Sequence, residues 1–238
     1  MYGWRARIGL IIPSSNTTME PEFWKMAPEG VSIHSARMRL IEVTPEALSE
    51  MHKDLMHAAQ LLSDTNVDII VFGCTSGSFL EGLGFDKQIS DEIKGNVGIE
   101  AITTSTAVID ALKELELRKI VLATPYIEEI NKKEVKFLED NGIKVLKYKG
   151  LGILKNTEIG AQTPDVAYRL AKEVYVSEAD GVFISCTNFR TIEILDVLEQ
   201  DLGVPVISSN QATMWKTLKT LGIREKYESF GTLLRDFL

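Results

Sequence analysis

The chain has 238 residues, 45% hydrophobic and 25% charged, with a formal net charge of -8. That balance describes a soluble globular protein with ample core, as one large α/β domain or two lobes of ~110 residues. An acidic chain does not suit nucleic acid, no apolar run nears the ~18 residues of a membrane span, and two cysteines and three histidines without ligand spacing do not suit a metal.

Met1-Tyr-Gly-Trp-Arg leads straight into a strand-like run without a signal-peptide pattern, so the expected location is the cytoplasm. Ile8 to Ile12 reads as a buried strand closed by Pro13, and Val31 to Leu40 as the next. Thr44-Pro45-Glu46 is a helix start: a capping hydroxyl, a proline at the first helical position and an acid facing the dipole. Leu48, Met51, Leu55 and Leu62 give that helix its apolar face. Ile69 to Phe72 is a strand, with a helix after Cys74. Val97 to Ile102 reads as a short strand, and Ala107, Val108, Ala111, Leu112 and Leu115 mark the helix beyond.

The pattern then restarts. Lys119 to Ala123 is a strand ending in Thr124-Pro125-Tyr126, and a helix follows to about Asp140, stopped by Asn141-Gly142. Ile143 to Tyr148 is a strand. Thr163-Pro164-Asp165 repeats the helix-start grammar, with Val166, Leu170 and Val174 as the buried face. Gly181 to Ser185 is a strand, Ile194, Leu195 and Leu198 belong to a helix, Val204 to Ile207 is the last strand, and the tail from Gln211 is helical to Leu221-Gly222. Alternating strands and helices predict a mostly parallel sheet with helices on both faces. The restart predicts two similar halves, because Asp68-Ile-Ile-Val-Phe-Gly-Cys74-Thr75-Ser76 aligns with Asp180-Gly-Val-Phe-Ile-Ser-Cys186-Thr187-Asn188. The helix starts between do not align, so the halves share a plan and not a strict repeat.

Ligands of open parallel sheets bind beyond the carboxyl ends of the strands, where both cysteines fall. Small polar residues after each cysteine predict a helix N-terminus, whose free amides would hold a carboxylate and lower the thiol's pKa. The competing reading is a small buried hydrophobe, and two matched settings weigh against it. A structural disulfide does not suit a reducing compartment. Pro13-Ser-Ser-Asn16-Thr-Thr, Thr124-Pro-Tyr126 and Ser208-Ser-Asn210-Gln211 also end strands. Turn chemistry accounts for each alone, and together they predict a polar cleft with two facing thiols.

Pro13-Ser-Ser-Asn16-Thr-Thr-Met-Glu, Gly73-Cys74-Thr-Ser, Thr124-Pro-Tyr126, Ser185-Cys186-Thr-Asn188 and Pro205-Val-Ile-Ser-Ser-Asn-Gln-Ala resemble the aspartate/glutamate racemase superfamily. Within it they are most similar to the maleate cis-trans isomerase branch, neighbour to arylmalonate decarboxylase, from about Arg7 to Trp215. The resemblance implies an α/β fold of two similar lobes, each a four-stranded parallel sheet flanked by helices, related by a pseudo-twofold axis with the active site between them. It implies a first lobe of residues 1–104 with 211–238 packing back on it, and a second lobe of 105–210. Decarboxylases of this group typically keep only the second cysteine, whereas isomerases and racemases keep both.

The activity implied is conversion of maleate to fumarate with no cofactor and no metal. Cys74 would be the attacking thiolate that forms a succinyl thioether, and Cys186 the thiol that moves a proton on the opposite face. Asn16, Tyr126 and Asn156 match positions that hold the substrate carboxylates. The backbone amides of Thr75, Ser76, Thr187 and Asn188 are donors expected from the helix-end argument. The partners implied are a small dicarboxylate and a second copy of the chain, as a homodimer or larger homo-oligomer. Two other readings stay open: an aspartate, glutamate or hydantoin-type racemase using both thiols as acid and base, and a non-catalytic acid-binding protein. His34, His52 and His57 read as surface or packing residues, Trp4, Trp24 and Trp215 as packing or interface, Lys132 to Lys149 as solvated, and Glu20 to Glu29 as either a lid or an interface.

Overall fold

The computed structural model describes residues 2–238, so Met1, where the expected leader-free start begins, lies outside. In chain order the first part runs β1 (Ala6–Pro13), α1 (Met19–Met26), β2 (Val31–Met38), α2 (Pro45–Met51), α3 (Leu55–Ser63), β3 (Ile69–Phe72), α4 (Thr75–Phe79), α5 (Phe85–Val97), β4 (Ala101–Thr103) and α6 (Thr104–Glu114). The second runs β5 (Lys119–Thr124), α7 (Glu128–Asp140), β6 (Lys144–Gly150), α8 (Asn156–Gly160), α9 (Pro164–Val174), β7 (Gly181–Ile184), α10 (Leu195–Leu202), β8 (Val206–Ser208), α11 (Ser209–Thr220) and α12 (Gly231–Phe237). All strand pairs are parallel, and the two four-stranded sheets have the same order, β2-β1-β3-β4 and β6-β5-β7-β8. The fold class is therefore α/β with two similar lobes.

The continuous apolar runs form central strands because helices cover both sheet faces. Ile8, Leu10, Ile11 and Ile12 in β1, and all of β3 and β7, are buried. Each fully buried Ile or Leu contributes ~1.5–3 kcal/mol relative to exposure. The matched aspartates do the same work in both lobes. Asp68 Oδ2 accepts the Arg7 N–H at 2.7 Å, and Asp180 Oδ2 accepts the Lys119 N–H at 2.8 Å, so each pins the start of its lobe's first strand beside the strand that carries the cysteine.

Several boundaries differ from the sequence reading. Val97 ends α5 and does not start a strand. Gly98 (φ 72) donates its N–H to Lys94 O and closes the helix in the left-handed region that glycine favours, which leaves only Ala101–Thr103 for β4. The last strand is Val206–Ser208, and α11 starts at Ser209 because Ser208 and Gln211 form a capping box. Val166 is half-buried; Ala167, Leu170, Ala171 and Val174 form the buried face of α9. No helix follows Cys186 directly, since α10 begins only at Leu195.

The lobes are joined at several places. An antiparallel bridge pairs Glu42 with Lys155, flanked by Val43 N–H to Leu154 O and Asn156 N–H to Ile41 O, both at 2.9 Å. Helix α11 lies against α6 and α1. The tail touches the first lobe through Arg5–Glu225 (2.6 Å) and Tyr227 Oη to Met26 O (2.5 Å), and α12 then settles on α10, α11 and β8. The acid-rich segment is an interface and not a lid: Lys25 pairs with Glu193 at 2.7 Å, and Glu22 accepts the amides of Thr191 and Ile192. No helix of the described residues is long and apolar enough to cross a membrane.

Candidate active site

Each thiol leaves a buried strand at its carboxyl end. Cys74 follows β3 as the N-cap of α4, with extended backbone (φ -144, ψ 109) and a sulfur that accepts the Gly77 N–H at 3.4 Å. Gly73 before it has no room for a side chain, because a Cβ there would sit 2.5 Å from Met19 Sδ and 2.9 Å from Ile12 Cγ2. Cys186 follows β7 by Ser185 but adopts φ 96, a region L-residues rarely occupy, at a cost of ~1–3 kcal/mol. Its sulfur accepts the Asn188 N–H at 3.4 Å. Both cysteines are enclosed, at 3% and 5% exposure.

One hydroxyl ties the two motifs together. Ser209, at the start of α11, accepts the Thr75 hydroxyl and the Cys186 N–H, each at 3.0 Å. A second link passes through Asn16, whose Nδ2 donates to Thr187 Oγ1 at 3.1 Å while its Oδ1 accepts the amides of Thr18 and Met19. Thr187 Oγ1 in turn donates to Gly73 O at 3.2 Å. Asn188 uses both ends of its side-chain amide on protein, accepting the Thr17 N–H at 2.9 Å and donating one N–H to Asn156 O at 2.6 Å. Asn156, the first residue of a short helix, donates to Ser15 Oγ at 2.9 Å and hangs from the bridged loops that join the lobes. The Tyr126 hydroxyl stands beside the Cys186 thiol and favours its thiolate.

The structure thus brings Asn16, Cys74, Thr75, Ser76, Tyr126, Asn156, Cys186, Thr187 and Asn188 into one buried, neutral, hydrogen-bonded cluster. The first amides of α4, at Thr75 and Ser76, have no acceptor within their own helix. The arrangement offers two thiols and a set of uncharged donors to a small anion.

The arylmalonate decarboxylase family model matches residues 8–234. The chain belongs to that family. Among the family's relatives, the maleate isomerase of Geobacillus stearothermophilus is 32% identical, over 96% of each chain. Two solved structures superpose closely. One is a cysteine-to-alanine maleate isomerase from Pseudomonas putida with maleate (28% identity, TM-score 0.91, 96% and 97% coverage). The other is a cysteine-to-serine variant of the Nocardia farcinica maleate cis-trans isomerase with a covalently bound succinylcysteine intermediate (26%, TM-score 0.93, 98% and 99% coverage).

In this arylmalonate decarboxylase family member the thiols are not the acidic pair that helix N-termini alone would make. Burial is the largest cause and pushes Cys74 up to about 11, against the Gly77 N–H and Ser76 hydroxyl. It pushes Cys186 up to about 12, against Tyr126 and the Asn188 N–H, with charge on Cys74 and Glu134 adding to the rise. Both are thiols at neutral pH. The expectation of a lowered pKa fails because desolvation outweighs the few amide contacts. His52 stacks on Phe72 and its Nδ1 lies 2.9 Å from Leu48 O, so it packs. Trp215 is buried in α11, whereas Trp4 and Trp24 are exposed.

Sequence reasoning missed Ser209 as a link, and two buried carboxyls. Glu22 Oε2 accepts the Asn210 amide at 2.6 Å, and Asn210 also donates to Thr187 O at 3.0 Å. Glu134 Oε1 accepts the Ser185 hydroxyl at 2.5 Å. Both carboxyls lie on the apolar stripes of their helices. Glu22 falls with Met19, Phe23 and Met26, and Glu134 with Ile130, Phe137 and Leu138, a spacing readable in the sequence.

Burial raises Glu22 to about 7 and Glu134 to about 8, from 4.5. Above pH 4.5 the unfolded chain releases protons that the folded chain keeps, so stability is fully present below that pH and falls as pH rises toward about 7 to 8. Urea midpoints are expected to be higher at about pH 5 than at about pH 8, and Glu134→Gln is expected to flatten part of that slope. An unchanged slope in Glu134→Gln would mean that this carboxyl is already ionised in the fold.

Proposed function

We propose that the protein is a cofactor-independent maleate cis-trans isomerase. The observation that carries this reading is the pair of thiols at equivalent strand ends, joined through Ser209 and surrounded by neutral donors. Maleate is a planar dianion whose double bond blocks rotation. The Cys74 sulfur adds to one alkene carbon, and the π pair shifts toward the far carboxylate. That carbon–carbon bond is then single and rotates, and expulsion of the sulfur leaves fumarate.

The proton balance uses both thiols. Cys74 releases its proton to solvent as the sulfur adds and recovers one after it is expelled, and Cys186 supplies a proton to the neighbouring carbon and takes it back before elimination. When that carbon is protonated the adduct is a succinyl thioether. Asn16, Tyr126, Asn156 and the backbone amides of Thr75, Ser76 and Thr187 hold the carboxylates and meet the charge that develops on them, whereas the Asn188 N–H, expected among these donors, is taken by the Cys186 sulfur. Burial keeps Cys74 mostly a thiol at neutral pH, so the thiolate that adds is a minor species of the site. The lobes are taken as 1–104 with 211–238, and 105–210; within the returning segment α11 lies on α6 and α1 of the first lobe, while α12 also rests on α10 and β8 of the second. Assembly as a homodimer or larger homo-oligomer in the cytoplasm completes the reading, and the exposed Tyr2, Trp4 and Trp24 offer apolar surface for it.

The test is a metal-free assay under reducing conditions, with maleate added to purified protein and fumarate followed by proton NMR. Fumarate supports the reading. No fumarate, but exchange of the α-hydrogen of aspartate, glutamate or a hydantoin in heavy water, would make the protein a racemase.

A further inference from the structure

Glu134 stands outside the mechanism above, yet it is one of the most enclosed carboxyls of the described residues, at 1% exposure. It projects from α7 toward the end of β7, where Ser185 donates to one of its oxygens at 2.5 Å. The other oxygen, Oε2, is buried without a hydrogen-bond partner. Among the described residues no lysine or arginine offsets its charge. Lys133, its neighbour on α7, turns away to Leu80 O.

The titratable groups that feel Glu134 are Cys186 and Tyr126, and a negative charge on Glu134 opposes ionisation of both. Helix α4, which crosses α7, brings Thr75 to Phe79 and no titratable side chain. Strand β6, also against α7, carries Lys144, Lys147, Tyr148 and Lys149, and Tyr148 is engaged at the exposed Glu128. An ionised Glu134 would therefore place an unpaired buried charge directly behind the thiol that meets the substrate.

A dicarboxylate brings two more negative charges into a cluster whose side chains are all neutral. Like charges in a water-poor site repel strongly. Resting on the dicarboxylate reading above, we propose that Glu134 is a positioning residue that must be the neutral acid for a dianion to occupy the site. It holds the Ser185–Cys186 turn with one oxygen and keeps a proton that substrate binding requires. Deprotonation of Glu134 and binding of the substrate then exclude each other. Burial, which pushes this carboxyl up to about 8, places the competition at mildly alkaline pH.

The experiment is calorimetric titration of the full chain with succinate, a dicarboxylate that has no alkene to react, from about pH 6.5 to about pH 9.5. Wild-type affinity is expected to be level to about pH 7.5 and to fall above about 8, by ~30-fold at the alkaline end if one proton is obligatory. Glu134→Gln is expected to stay level over that range. Glu22→Gln, at the other buried carboxyl, is expected to keep the fall. Ser185→Ala removes the hydrogen bond that favours the ionised form, so its fall is expected to move to higher pH, which tests the proposal even where Glu134→Gln does not fold. A level wild-type profile, or an unchanged fall in Glu134→Gln or in Ser185→Ala, overturns the proposal alone. Absence of succinate binding at neutral pH overturns both it and the dicarboxylate reading.

Discussion

Cys74→Ala is expected to remove fumarate formation altogether, a loss of ~10⁴-fold or more, comparable to deletion of a nucleophile from other covalent catalysts. The magnitude follows from the site. Apart from Cys186, the cluster offers only hydroxyls, amides and a phenol whose pKa burial holds well above its usual value, and none of these adds readily to an alkene. Alanine fits the space, and Cys74 contributes little to the scaffold beyond accepting the Gly77 N–H. Circular dichroism and the urea midpoint should therefore stay near wild type while NMR shows no fumarate. Turnover above about a hundredth of wild type would remove Cys74 as the nucleophile.

Cys186→Ser is expected to separate addition from proton transfer. Serine keeps the size of the side chain, but its hydroxyl is a far weaker acid than a thiol. Turnover should fall by ~10²–10⁴-fold, the range of a lost general acid–base group. The adduct on Cys74, its carbon protonated slowly from solvent, should then accumulate because no thiolate is present to remove that proton, and intact-mass spectrometry should show the protein heavier by one maleic acid, mapped to the peptide that contains Cys74. The same variant in Cys74→Ala background should show no gain. Turnover near wild type with no adduct would take the proton role away from Cys186.

Much of this architecture is legible in the chain, for physical reasons. Buried parallel strands must be apolar on both faces, so Ile8 to Ile12 and Ile69 to Phe72 stand out against amphipathic helices. Thr44 announces its helix because capping needs a side-chain oxygen there, and it accepts the Ala47 N–H at 3.2 Å. The paired Asp-to-Cys segments are visible because both lobes solve the same strand-start and strand-end problem. Where local grammar gave too little, the reading slipped. Val97 has strand propensity, but Gly98 decides that it ends a helix. Helices α1, α8 and α12 went unpredicted; α8 is only five residues long, and α1 carries Glu22 among its buried residues.

Of the site, residue identities were legible and their protonation was not. The motifs name Cys74, Cys186, Asn16 and Tyr126 without reference to coordinates. Desolvation depends on everything packed around a thiol, so a strand-end position could not reveal that both thiols are held protonated. Glu134 hides for a related reason. In a lysine-rich helix one glutamate looks like solvated surface, and only its place on the stripe of Ile130, Phe137 and Leu138 turns it inward.

The two lobes repeat one topology, yet the backbone at Cys74 is extended and at Cys186 is turned to φ 96. A symmetric scaffold thereby holds an asymmetric pair, and the two sulfurs cannot trade places. The consequence is stereochemical. Sulfur reaches a bound alkene from one side only, so any thioether formed here has a single configuration at its new stereocentre. A deuteron supplied through Cys186 in heavy water likewise enters one of two otherwise equivalent positions on the adjacent carbon. Handedness that the planar substrate and product both lack is thus present in every intermediate between them.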